Sequence, residues 1–143
     1  MNGKSVFVDT WGWLALGQRR EPRHDQVKRI YRELRAEGVA VYTSDYVLDE
    51  LITLLFRRES FERAVEYVHG ILAAAARGHL RIERVTSDRF TAAWALRKQF
   101  QDKPSISFTD LVSMAIMREQ DIHRVLTQDR HFEQVGMGFL LLS

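Results

Sequence analysis

The stretch SVFVDTWGWL, residues 5–14, places an acid where a folded core does not ask for one. Val6, Phe7 and Val8 read as a short strand with no polar alternation, the pattern of a strand covered on both faces. A carboxylate at its end, on Asp9, is costly to bury unless another group compensates it. Whatever compensates Asp9 therefore bears on both fold and function.

Working outward, strands and helices alternate. HDQVKRIYRELRAEG places Val27, Ile30, Tyr31 and Leu34 at helical spacing and ends at Gly38. VAVYTS reads as a second strand. SDYVLDELITLLFRR is a helix apolar around most of its circumference, which predicts that it is largely buried. SFERAVEYVHGILAAAARG is a helix opened by Ser60 and closed near Gly78. LRIERV reads as a third strand, and SDRFTAAWALRKQF as a helix offering Phe90, Trp94 and Phe100 to the core. SFTDLVSMAIMREQ is a further helix. RVLT and GFLLL are the last two strands, with the helical turn RHFEQV between them. Such alternation predicts an α/β fold whose sheet is mainly parallel and covered on both faces. Ligands of these sheets bind beyond the carboxyl ends of the strands, where strand order reverses. Asp9 is expected there.

The totals bound the partners. A chain of 143 residues is expected to form one domain, 1–143, around a single core. It carries no cysteine, which excludes disulfides, thiolate metal sites and thiol nucleophiles. No apolar run is long enough to span a bilayer and the N-terminus lacks the features of a signal peptide, so a cytoplasmic location without membrane contact is expected. Of the 21 basic residues 17 are arginine, a side chain that pairs with phosphate as a planar fork. That permits a nucleic-acid partner without requiring one; a solvated basic surface fits the composition equally well.

Four acids occupy awkward places. Asp9 follows the first strand and Asp129 the fourth, in VLTQDRHF. Asp110 lies in the first turn of the helix in SISFTDLVSMA. Glu50, in VLDELITLL, shares a helix face with Val47 and Leu54. Capping accounts for some of them singly: Asp9 and Asp129 suit the starts of helical segments, and Ser107 with Asp110 matches a capping box. Glu50 is mid-helix and needs another explanation, an arginine partner or a ligand. If strands one and four are neighbours, Asp9 and Asp129 emerge side by side, and a hard divalent cation, Mg²⁺ or Mn²⁺, relieves their repulsion.

These motifs resemble the PIN-domain ribonucleases, and among them the VapC-type toxins of prokaryotic toxin–antitoxin modules. The resemblance rests on VFVDT, TSDYVLDEL, SFTDLVSMAIMRE and VLTQDRHFEQVGM, in that order and context, and covers nearly the whole chain. It implies a three-layer α/β/α fold around a central five-stranded sheet and a catalytic metal site formed by Asp9, Glu50, Asp110 and Asp129. Thr10 and Thr127 match the family's hydroxyls beside the acids. Ser113, one turn after Asp110, is a further candidate for contact with a metal-held water. The resemblance also implies Mg²⁺-dependent endonucleolytic cleavage of RNA, with Mn²⁺ as a substitute, an antitoxin protein partner and a homodimer. Position 128 is Gln, so a fifth acidic ligand there has no support.

Cleavage with a metal-activated water predicts 5′-phosphate and 3′-hydroxyl ends. Two rivals stand against this reading. Phosphoryl transfer to Asp9 itself lacks the second acid that the phosphatase signature places two residues on, where this chain has Trp11, and lacks a late lysine at a strand end. A catalytically silent RNA- or protein-binding module suits the arginines but not clustered carboxylates. His24, His69, His79 and His123 show no paired metal spacing. His131, two residues after Asp129, suits contact with a substrate phosphate or orientation of the last turn. Trp11 and Trp13 read as packing rather than base-stacking platforms. The segments DYVLDELITLLFRR and FERAVEYVHGIL, with Arg57 and Arg58 at their junction, offer more apolar positions than one buried face requires; they suit an antitoxin groove, dimer packing or plain core.

Overall fold

The computed structural model describes residues 5–143. In chain order the elements are β1 (Ser5–Val8), α1 (Thr10–Gly17), α2 (His24–Ala36), β2 (Ala40–Ser44), α3 (Asp45–Arg58), α4 (Phe61–Ala76), β3 (Arg81–Glu83), α5 (Ser87–Gln99), α6 (Phe108–Glu119), β4 (Arg124–Leu126), α7 (His131–Gln134) and β5 (Leu140–Leu142). The five strands form one sheet in the order β3-β2-β1-β4-β5, and every pairing is parallel. The sheet expected to be mainly parallel is wholly so.

β1 is the central strand because it is the one most thoroughly apolar. Val6, Phe7 and Val8 have no solvent exposure, and since successive residues point to opposite faces, helices must cover both. Its register sets Val8 opposite Leu126 of β4 and Phe7 opposite Tyr42 of β2. Strand order reverses between β1 and β4, so the crevice expected for a ligand opens beyond Val8 and Leu126.

Hydroxyl caps start the helices. Ser44, Ser60, Thr86 and Ser107 accept from the backbone N–H three residues on, in α3, α4, α5 and α6 respectively. α2 and α4 stop at Gly38 and Gly78, whose φ values of +74° and +80° suit a residue without Cβ. α1 was not marked by any periodicity: TWGWLALG is apolar on every side, and Thr10, Gly12, Trp13, Leu14 and Ala15 are all buried. Its close seat depends on Gly12, where a Cβ would stand 2.6 Å from the Leu126 carbonyl oxygen and 2.9 Å from Val8 Cγ1. Gly12→Ala is therefore expected to destabilise the chain by about 1–3 kcal/mol through overpacking against backbone, read as a lowered urea midpoint; an unchanged midpoint would show that α1 can lift off the sheet without cost.

Two expectations about burial are corrected. α3 is not largely buried: Val47, Leu51 and Leu55 face the core, while Ile52 and Phe56 are 38% and 39% exposed. The enclosed helix is α6, buried without a break from Leu111 to Met117. Of the three rings offered to the core, Phe100 enters it, beside Ala93 and Leu96 of α5, whereas Phe90 and Trp94 are 46% and 51% exposed. Phe90 meets Phe108 at the surface, ring centroids 5.1 Å apart. Among the described residues no helix is long and apolar enough to cross a membrane.

Candidate active site

The switch point gathers the acids. Asp9 is the N-cap of α1 and only 4% exposed. One of its oxygens accepts from the Gly12 N–H at 2.9 Å and the other from the Thr127 hydroxyl at 2.5 Å. Thr127, fully buried just past β4, also accepts from the Asp129 N–H at 3.0 Å, so one hydroxyl links the two strand-end acids. Thr10, the first residue of α1, donates to Glu50 Oε1 at 2.5 Å and ties α3 to the same end of the sheet. Glu50 thus has a hydroxyl partner, and no arginine pairs with it among the described residues.

Asp110 enters from α6. Ser107 caps that helix through the Asp110 N–H, leaving the Asp110 side chain free to reach the Asp129 carboxylate. The capping readings of Asp9 and Ser107 are thus both correct, and neither prevents the carboxylates from converging. Ser113 is fully buried, and its hydroxyl donates to the Thr109 carbonyl within α6 at 3.1 Å. A position one turn after Asp110 gives its hydroxyl an acceptor in the helix itself.

Sequence reasoning gave His131 no firm role, yet it lies among the acids. Its Nδ1 approaches Asp129 Oδ1 to 3.0 Å and Asp110 Oδ2 to 4.0 Å, and its backbone N–H donates to Asp129 Oδ1 at 2.9 Å. The Nδ1 approach is close but misaligned, so this buried nitrogen has no hydrogen-bond partner. Asp110, Asp129 and His131 each offer a ligand atom within 4.8 Å of the others. The signal in the sequence was the spacing: two residues beyond Asp129, in a turn that folds back on it.

Electrostatics follow from burial. Removal from water pushes Asp9 up to about 7, against its two hydrogen bonds and with added repulsion from Asp129 and Glu50. Asp110 is pushed up to about 8, first by burial, then by a hydrogen bond with Asp129 and by repulsion from Asp9, Asp129 and Glu50. No lysine or arginine pairs with any of the four acids among the described residues, and the only cationic candidate is His131. Carboxylates this crowded, with a buried nitrogen lacking a partner beside them, suit a hard divalent cation in both donor type and charge.

Acids converging at the switch point of a parallel α/β/α sheet define a protein of the nuclease class. The chain belongs to the PIN-domain family, whose model matches residues 6–137. It is 36% identical over 133 residues to the 23S rRNA-specific endonuclease VapC20 of Mycobacterium tuberculosis, in strains CDC 1551 / Oshkosh and ATCC 25618 / H37Rv, covering 92% of this chain and 94% of that protein. The crystal structure of M. tuberculosis VapC20, described as a sarcin-ricin loop cleaving toxin, superposes with a TM-score of 0.79 at 33% identity, over 94% of this chain and 96% of that one. VapBC2 of Rickettsia felis, solved bound to a DNA fragment from its promoter, gives a TM-score of 0.73 over 96% and 97% of the two chains; at 17% identity it bears on the fold alone. The chain is a homologue of VapC-type ribonuclease toxins.

Proposed function

We propose that this chain, as a single PIN domain over 1–143, is a Mg²⁺-dependent endoribonuclease and the toxin of a toxin–antitoxin pair. It acts in the cytoplasm as a homodimer, Mn²⁺ substitutes for Mg²⁺, and ribosomal RNA is its substrate, the class on which VapC20 acts by name. The observation that carries the reading is the convergence of Asp9, Glu50, Asp110 and Asp129 without a basic partner.

In the mechanism these four side chains would hold the cation, which would supply the acidity that activates water at neutral pH and the positive charge that offsets the leaving oxygen's. The chain's own groups keep the acids in place. Thr127 fixes Asp9 against Asp129, and Thr10 fixes Glu50. Gly12 N–H holds the other Asp9 oxygen, and each carboxylate oxygen retains a free lone pair for a ligand.

The antitoxin needs a seat, and a cavity away from the acids bears on where. It encloses about 510 Å³ between α1, α2, α3 and α4, lined among others by Trp13, Tyr31, Leu55, Tyr67 and Ile71, and none of the four acids lines it. Its aromatic and aliphatic walls with Arg63 and Lys28 at hand suit an amphipathic segment of a partner protein.

The test is cleavage of purified ribosomal RNA, with the new 5′ ends mapped. A discrete set of 5′-phosphate ends in Mg²⁺ is expected. RNA bound but left intact in both Mg²⁺ and Mn²⁺ would replace the nuclease reading by that of a silent binding module. Adding the small protein encoded beside the gene should silence cleavage, and its proteolysis should restore it; cleavage indifferent to that protein removes the toxin–antitoxin part alone.

A further inference from the structure

Arg97 is a charged side chain with no charged partner among the described residues. It lies on α5, half-buried, and donates only to backbone carbonyls: Nη1 to Ile106 at 2.7 Å, Nη2 to Phe100 at 2.8 Å and to Lys103 at 2.7 Å. All three acceptors belong to the connection between α5 and α6. That connection is otherwise held by two turn bonds, Lys103 N–H to the Phe100 carbonyl and Ile106 N–H to the Lys103 carbonyl, and by the buried Ile106 side chain. A planar guanidinium meets three carbonyls in fixed directions, which an ammonium cannot reproduce.

The segment so fixed is a wall of the acid crevice. Ser105, between two of the acceptors, brings its Oγ to 3.3 Å from His131 Nε2. Ser107, next after Ile106, caps α6 through the Asp110 N–H. His131 in turn stands 3.0 Å from Asp129 and 4.0 Å from Asp110. From this chain of contacts we propose that Arg97 is a positioning residue of the cleavage site, acting through the 100–106 connection on Ser105, His131 and the start of α6. The proposal rests on the nuclease reading above. It assigns to a residue outside the acid group the task of holding Asp110 and Asp129 in one register.

Misplacement by about 1 Å at a reacting centre costs on the order of 100-fold in rate, so Arg97→Lys is expected to lower kcat between about 10- and 100-fold with KM near that of the parent chain. Its assay temperature is set well below its own melting point. In the metal-free protein the His131 imidazole nitrogen resonances should shift at fixed pH, because the Ser105 contact is lost. Ser105→Ala, which removes only that contact, should lower kcat in the same direction and keeps the idea testable if Arg97→Lys fails to fold. An unchanged kcat in either variant overturns the proposal. So does a change confined to KM, or a fall in kcat with unmoved His131 resonances, since those are the marks of a structural strap. The parent chain, assayed alongside, tells the two failures apart: if it does not cleave RNA in Mg²⁺ or Mn²⁺, the nuclease reading fails first.

Discussion

Asp9→Asn is expected to abolish RNA cleavage, a fall of about 1,000-fold or more in kcat, and to leave the metal-free chain more stable at alkaline pH. The first effect follows because an amide donates no charge to a cation and the acids act as one unit, whose members cannot substitute for each other. The second follows from linkage. Burial raises Asp9 from 3.8 to about 7, so below pH 4 the folded and unfolded chains both carry the proton, and as pH rises toward 7 only the folded chain keeps it. Stability is therefore fully present at low pH and lost as pH rises through that window; asparagine has no proton to lose. The variant should match the parent near pH 4 and exceed it by on the order of 2–4 kcal/mol at pH 9, seen as a higher melting temperature. A variant that no longer folds would return Asp9 to a purely structural role, with its bonds to Gly12 and Thr127 as the reason.

Divalent cation should reverse that alkaline weakness. Asp110, pushed up to about 8 by burial and its carboxylate neighbours, adds to the loss of metal-free stability between pH 4 and 8. Mg²⁺ or Mn²⁺ is expected to bind the deprotonated acids and so to compete with protons. At pH 8 and a concentration about 100 times its Kd, the cation should add about 2.7 kcal/mol, and little at pH 5. Thermal melts with and without Mn²⁺ across that range measure it, and EDTA in excess should stop cleavage. Undiminished cleavage in EDTA, or a melting temperature indifferent to Mn²⁺ at pH 8, would remove the cation from the reading.

What could be read from the sequence had a local cause. Asp9 and Asp129 each end an apolar strand, and parallel strands deliver their ends to one edge; Glu50 has no capping role to explain it. The central position of β1 follows from three apolar residues without alternation. The misreadings share a cause too. α5 presents Phe90 and Trp94 on one side and Ala93, Leu96 and Phe100 on another, and a periodicity argument cannot say which side turns inward when both are apolar. The larger rings stay out because α5 packs against α6, whose own face is already filled from Leu111 to Met117. α1 shows no periodicity because every side of it is buried. The approach of His131 to the acids comes from the fold of a turn, which periodicity does not reveal.

The register of β1 has a consequence in time. Ser5, Val6 and Phe7 pair with Ala40, Val41 and Tyr42 of β2, but the other edge of β1 must wait for Arg124, Val125 and Leu126 of β4, and only that second pairing brings Asp129 beside Asp9. Closing so long a stretch of chain carries an entropic cost that shorter pairings do not, and sheets dominated by such distant partners fold slowly. During synthesis Asp9 and Glu50 emerge long before Asp110 and Asp129, so the four acids cannot stand together until β4 has docked beside β1.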